Sequence, residues 1–345
     1  MWVRRLAVAA AFLTVVLIVA GGLVTNTDSG LAFPDWPTCF GSPMPRMVGG
    51  VAVEHTHRLI ATAVGLCTLG LCIGTLPRRL WLLLCGVFAP VLLGGAIAFA
   101  RLQQRDGSLP ALPALLVLVG FAGCAWAFFR ARGPGRLAVL ALALVMVQGL
   151  LGGLTVIYRL PPTVLVLHLA TSMLFLSVAL VLAWRLSGSP AQVARTPLLW
   201  ATAGLTYVQI VLGAAIRHTG AGLVCTDLPY CRGAWWPTGV HPSVHLHMLH
   251  RALAFAVLAL VVWNAVRLSR GATFVVRLLA WAGPALTVVQ MVLGVLTILT
   301  FKDLLPVTGH LLFAALLLAD LVSLSALARP AEASQPAREP VGVPA

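Results

Sequence analysis

Long apolar runs recur along almost the whole chain, and they limit the folds that it can adopt. About 20 apolar residues are enough for an α-helix to span a bilayer, and about ten such runs are present. Of the 345 residues, 60% are hydrophobic and 9% are charged. This composition excludes a soluble globular domain, and we predict an all-α integral membrane protein with about ten transmembrane helices. The predicted spans lie near residues 6–24, 55–76, 80–100, 110–129, 137–157, 163–184, 198–216, 246–266, 278–299 and 305–326.

The net charge of +14 does not indicate nucleic-acid binding. The arginines flank apolar runs instead of forming one basic stripe. With the N-terminus inside, the inner connections hold more basic residues than the longer outer ones, as the positive-inside rule requires. We therefore predict a multi-pass protein of the cell (plasma or inner) membrane with both termini cytoplasmic. The inner arginines are Arg78, Arg79, Arg130, Arg132, Arg136, Arg185, Arg195, Arg267, Arg270 and Arg277.

The two ends of the chain are predicted to differ. The first apolar run, Leu6 to Val24, follows Arg4 and Arg5, and no small-residue cleavage motif comes after it at the right place. We predict a retained helix and not a cleaved signal peptide. Residues 329–345 are rich in Pro, Ala and Glu, which predicts a disordered cytoplasmic tail.

An internal repeat organises the chain. Residues 30–39 match residues 222–231 at Gly, Leu, Asp, Pro and Cys, with a constant offset of 192. His57 and Arg58 match His250 and Arg251 with an offset of 193. Further along, the offset is 142 for four residues of the first half and their counterparts. These are Gln148, Gly152, Thr155 and His168, which match Gln290, Gly294, Thr297 and His310.

The fall in offset means that the first half holds 51 extra residues between its two histidines. That length accommodates two additional spans, and an even number of added spans preserves the orientation of the later helices. We predict two pseudo-symmetric four-helix bundles in parallel repeat, with a helical hairpin inserted into the first. The first unit would cover residues 1–185, with the hairpin at 80–130, and the second would cover residues 196–328.

Four histidines recur at equivalent positions of the two halves: His57, His168, His250 and His310. A histidine within a membrane is costly and usually has a function. Each half places one histidine near the outer start of a span and the other just inside a later span, so the two reach similar depth. Two facing imidazoles inside a helix bundle can hold a haem iron axially. The alternative interpretation is polar contact between helices.

The residues around the histidines suggest further roles. Arg58 and Arg251 follow the first histidine of each pair and are candidates for binding haem propionates, although interfacial arginines are a simpler alternative. Glu54 stands three residues before His57, on the same helical face, whereas its counterpart is His247. A carboxyl group at one site only suggests proton handling there. A solvated carboxylate at a helix start is the alternative.

The cysteines fall into two groups. Cys225 and Cys231 lie in an outer loop, and we predict a disulfide between them. The first half has Phe33 in place of Cys225, so Cys39 lacks an equivalent partner. The others lie in apolar runs and are predicted to pack there: Cys67, Cys72, Cys85 and Cys124. The sequence contains no C-x-x-C-H motif, so covalently attached haem is not expected.

Together, the Glu54-x-x-His57-Arg58 motif, the Gln148-to-His168 segment and the second histidine pair resemble the haem A synthase family. The similarity covers about residues 20 to 326, apart from the inserted hairpin. The loop pattern Gly-Leu followed by Asp-x-Pro-x-Cys belongs to the same resemblance. Members of that family with a cysteine pair in the first loop differ from this chain, which has Phe33 and Cys39.

The resemblance implies oxidation of the C8 methyl of haem O to a formyl group by successive hydroxylation, through a hydroxymethyl intermediate, for cytochrome oxidase assembly. It implies that His57 and His168 flank haem O in the first half and that Glu54 assists proton transfer. His250 and His310 would ligate haem b as the cofactor of the second half. The implied partners are haem O synthase and an electron donor. The inserted hairpin is unusual for the family, and three roles are open for it: packing at the rim, docking of haem O synthase, or support of a homo-oligomer.

Two other functions use the same residues. A dihaem cytochrome b that carries electrons from quinol needs the four histidines but no chemistry on the macrocycle. A non-enzymatic transporter built on a repeat would use them as proton relays.

Overall fold

The computed structural model describes residues 1–33, 35–107, 110–188, 193–194, 197–270 and 272–329. Among them, ten helical segments are long and apolar enough to cross a membrane, so the predicted multi-pass membrane protein is confirmed. Arg195 and residues 330–345 of the predicted tail lie outside the described residues. The helices are α1 Trp2–Asn26, α2 Gly49–Thr75, α3 Arg78–Leu83, α4 Ala89–Asp106, α5 Ala111–Arg130, α6 Pro134–Ile157, α7 Pro162–Ser187, α8 Pro197–His218, α9 Pro242–Leu268, α10 Phe274–Leu299 and α11 Leu304–Leu327.

Helices α3 and α4 form one span, joined by the π-helical segment Leu84–Phe88. Pro90 stands at the start of α4 and has no N–H to donate to the preceding turn. A π-helical turn lets the chain pass this position without ending the span. Two-residue strands, Val193–Ala194 and Ala328–Arg329, pair in parallel at one end of the bundle.

The helices pack in two groups of four. Helices α1, α2, α6 and α7 contact one another in a ring, and α8, α9, α10 and α11 form a second ring. The two rings meet where α1 and α7 contact α11 and where α7 contacts α8. Helices α4 and α5 form the inserted hairpin, which packs on the outside of the first ring against α6.

The core lies where the two rings meet. Met173 and Leu176 of α7 and Leu318 and Leu321 of α11 are fully buried there. Apolar side chains also cover the outer surface, as expected of a protein whose surroundings are lipid. Asp320 of α11 is buried, and neither of its carboxylate oxygens has a hydrogen-bond partner among the described residues.

Candidate functional site

One large cavity connects the two rings at the end of the bundle where the long loops lie. Its volume is about 1680 Å³, whereas a pocket for one small ligand usually measures about 300–1,000 Å³. Seven predicted site residues line it: Glu54, His57, Arg58, His168, His250, Arg251 and His310. All seven border one continuous space, whereas the sequence predicted two separate sites for them.

His250 and His310 face each other across the second ring. Their ring centroids are 6.5 Å apart. A metal ion bound about 2 Å from one nitrogen of each ring requires a separation of roughly this size. Nδ1 of His310 lies 2.9 Å from the carbonyl oxygen of Gln290, to which it donates, and this leaves Nε2 free. A ligating histidine usually donates its other N–H to such an acceptor, so this pair fits a haem iron.

Each of the four histidines packs against a glycine of the neighbouring helix. A Cβ at Gly213 would lie 3.1 Å from Cε1 of His250, and one at Gly294 would lie 3.1 Å from Cε1 of His310. In the first ring, a Cβ at Gly21 would lie 3.2 Å from Nε2 of His57. A Cβ at Gly152 would lie 3.6 Å from Cε1 of His168. Glycine gives the imidazoles the space that a side chain would occupy.

Two of these glycines, Gly21 and Gly213, are site residues that the sequence motifs above do not include. Their separation of 192 is the offset that relates the two long loops. Extending the repeat alignment back into α1 and α8 would have revealed the pair.

We expect Gly213→Val to push His250 out of position, because the new side chain would lie closer to the imidazole ring than ordinary van der Waals contact allows. The purified variant should lose most of its tightly bound haem, as measured by absorbance in the Soret region. Gly204→Val on the same helix is the matched control, since a Cβ there meets nothing within 4 Å. Equal haem loss in both variants would show that the effect is general destabilisation of α8.

The first histidine pair differs from the second. No ring contact joins His57 and His168 in the described part of the chain, and the glycine opposite His57 faces its Nε2. Nδ1 of His168 has no partner among the described residues, whereas Nδ1 of its counterpart His310 donates to Gln290. Both pairs do share a glutamine that donates to a histidine carbonyl oxygen at 2.8 Å, Gln148 to His168 and Gln209 to His250. The two sites are thus unequal in geometry as well as in sequence.

Glu54 is buried at the edge of the first site. Its Oε1 accepts a hydrogen bond from Arg58 at 2.8 Å, and its Oε2 accepts one from the backbone N–H of Ala32 at 3.1 Å. Its counterpart, His247, is equally buried, and its Nδ1 has no partner among the described residues. The first site therefore has a carboxyl group, that of Glu54, at the position where the second site has the imidazole of His247.

The two predicted propionate-binding arginines hold the long loops. Arg58 donates to the carbonyl oxygens of three residues in loop 1 (residues 27–48): Asp35, Pro37 and Thr38. Arg251 donates to three carbonyl oxygens in loop 2 (residues 219–241): Asp227, Tyr230 and Cys225. Most of their donors are thus engaged, but Nε of Arg251 is buried and meets no partner in the described part of the chain. That N–H is available to a carboxylate in the cavity.

Two further cations line the cavity, Arg217 and Lys302. Arg217 donates to Asn26, whose amide donates to Thr308 at 2.8 Å, so the two rings are joined here. Neither residue belongs to the repeated motifs, so comparison of the two halves does not identify them as cavity residues.

The two long loops share a turn held by an aspartate. In loop 1, partial burial raises the pKa of Asp35, but hydrogen bonds from Gly41, Thr38 and Phe40 outweigh it and the pKa lies below its usual value. In loop 2, Asp227 accepts a hydrogen bond from Gly233 in the same way. The turn is therefore common to both loops even where their sequences differ.

The predicted disulfide between Cys225 and Cys231 is present. In loop 1, burial raises the pKa of the free Cys39 thiol, whose Sγ lies 3.4 Å from Nδ1 of His55. His55 precedes His57 by two residues on α2 and faces away from it. It is buried under loop 1 and contacts the cysteine that lacks a disulfide partner.

The remaining histidines have separate roles near loop 2. His241 caps α9 by accepting a hydrogen bond from the backbone N–H of Ser243. His245 donates to the carbonyl oxygen of Pro237 at 2.8 Å and stacks on Trp236. His218 ends α8 and lines the cavity.

Comparison with known proteins identifies a family. Residues 4–50 and 109–322 match the model of the COX15-CtaA family, described as cytochrome oxidase assembly protein. The chain is 26% identical over 343 residues to the "Heme A synthase" of Shouchella clausii, covering 93% of this chain and 94% of the relative. It is 26% identical to that of Symbiobacterium thermophilum, covering 80% and 82%, and 25% identical to that of Halalkalibacterium halodurans, covering 90% and 89%.

The family match omits residues 51–108, which hold most of α2 and the first span of the inserted hairpin. The family model therefore does not cover Glu54, His57 and Arg58.

Proposed function

Because the chain belongs to the COX15-CtaA family of cytochrome oxidase assembly proteins, we propose that it is a haem A synthase. It is a membrane oxidoreductase that converts the C8 methyl group of haem O to the formyl group of haem A. The named relatives, which align along most of their length, support this activity. The observation that carries the assignment of residues is the carboxyl group of Glu54, which lines the shared cavity at one histidine pair and has an imidazole as its counterpart at the other.

The second ring is the proposed site of resident haem b, whose iron His250 and His310 would hold. Their ring separation and the hydrogen bond from His310 to Gln290 support this assignment. Haem b supplies one-electron transfer when bound. The free Nε–H of Arg251 would hold a propionate of this haem, and Arg251 also keeps loop 2 over the site.

The first ring is the proposed substrate site, where His57 and His168 flank haem O. Glu54 accepts a proton released during oxidation of the methyl group, and Arg58 orients its carboxylate. Burial of Glu54 excludes bulk water from this proton acceptor. The two rings would be related by pseudo-symmetry, with the histidines toward the outer face and both termini in the cytoplasm. Haem O synthase would supply the substrate, an electron donor is a further proposed partner, and self-association of the chain is also proposed.

Haem stoichiometry tests the inequality of the two sites. Protein purified from cells that make haem B but not haem O should retain about one haem b per chain, because the proposal assigns resident haem b to the second ring alone. Protein from cells that also make haem O should carry an additional haem with a modified macrocycle. Two equivalent haem b groups per chain, reduced by quinol, would instead support a dihaem electron carrier.

A further inference from the structure

The cavity extends along the first ring in a way that the second ring does not repeat. On α2, lining residues continue to Leu66 and Leu69, which at 1.5 Å per residue lie roughly 14 and 18 Å beyond His57. On α9, they end at Phe255, only about 8 Å beyond His250. The counterparts of Leu66 and Leu69 at the 193 offset are Ala259 and Val262, and neither of them lines the cavity.

The inserted hairpin forms one wall of this extension. Leu92, Leu93 and Ala96 of α4 line the cavity together with Leu66 and Leu69 of α2, and so does Met146 of α6. Leu66 and Leu93 are 64% and 48% exposed. The extension is therefore a groove that opens between α2 and α4. We call it the α2–α4 groove, formed by Leu66, Leu69, Leu92, Leu93, Ala96 and Met146.

The chemistry of the groove restricts what it can hold. All six of its side chains are apolar, and it is continuous with the cavity that contains His57, His168 and Glu54. An occupant that joins both parts needs a polar, metal-bearing head and a long apolar chain. Haem O has this form, since a hydrophobic isoprenoid chain extends from one edge of its macrocycle. Haem b lacks the chain, and the ring proposed to hold haem b has no counterpart of the groove among its described residues.

We propose that the α2–α4 groove binds the isoprenoid tail of haem O, and that the inserted hairpin serves as the wall of this tail site. The proposal rests on the proposed function, because it takes haem O as the occupant of the first ring. The tail fixes the substrate in the first ring and excludes it from the second. The open side of the groove lets the tail enter sideways from the bilayer.

The test compares haem O with haem B, which has no isoprenoid tail, as ligands for the first site. Protein carrying its resident haem is titrated with each in the same lipid nanodiscs. We expect haem O to bind at least about tenfold more tightly than haem B. Leu93→Trp should remove most of this difference by filling the groove, while binding of haem B stays unchanged.

Leu118→Trp is the matched control, because Leu118 is an exposed leucine of α5 that does not line the cavity. It should leave the preference for haem O intact, which also corrects for partitioning of haem O into lipid. Equal binding of haems O and B by the unmodified protein would by itself overturn the proposal. So would a phospholipid that stays in the groove when haem O saturates the site.

The outcomes separate this inference from the proposed function. If the protein prefers haem O but does not convert it to haem A, the proposed activity is wrong and the proposed tail site stands. If the protein forms haem A but binds haems O and B equally, only the proposed tail site is wrong.

Discussion

Glu54→Gln is expected to lower formation of haem A by at least about 100-fold, the effect typical of losing a general base. The amide retains the size of the side chain and its contact with Arg58, but it cannot accept a proton. Haem content should therefore stay close to that of the unmodified protein. The measurement is the ratio of haem A to haem O in cells that express each variant together with haem O synthase.

His247→Gln provides the matched control, since His247 occupies the equivalent buried position in the second ring. It should reduce formation of haem A far less than Glu54→Gln. If both variants lose product equally, the difference between Glu54 in the first ring and His247 in the second is not what makes the first ring catalytic. If Glu54→Gln also loses its resident haem, the carboxyl group has a structural role and not a catalytic one.

His310→Ala is expected to remove the resident haem. Loss of the hydrogen-bond partner of a metal ligand alone costs roughly 10–100-fold in metal affinity, and loss of the axial ligand itself should cost more. His168→Ala, the reciprocal change, should keep the resident haem but abolish formation of haem A, because it alters the substrate site. Haem content of the purified variants is measured by absorbance of the extracted haem, and product is measured by mass analysis.

The two variants control for each other, because each removes an imidazole that packs against a glycine of a neighbouring helix. Loss of the resident haem from His168→Ala but not from His310→Ala would reverse the assignment of the two rings. Equal loss from both would show that the rings share their haem ligands.

Much of this architecture was predictable from the sequence. The apolar runs located the helices to within a few residues, because membrane helices must be long and apolar whatever they pack against. The repeat offsets identified the recurring histidines and arginines and the position at which Glu54 corresponds to His247. Each of these inferences depends on composition or on comparison of the two halves.

Features that depend on packing were harder to predict. The engagement of Arg58 and Arg251 by loop carbonyls requires the path of the loops, which the sequence does not contain. Arg217 reaches Asn26 across the interface between the rings, and no repeat offset relates those residues. The hairpin was recognised as an insertion, but its place beside the cavity is known only from its packing on α6.

Mass analysis of extracted haems tests the central claim most directly. Cells that make haem O and have no other source of haem A are compared with and without this protein. We predict haem A, or the hydroxymethyl intermediate, only in cells that contain the protein. If those cells contain only haems B and O while the protein is folded and carries its resident haem, the proposed activity is contradicted.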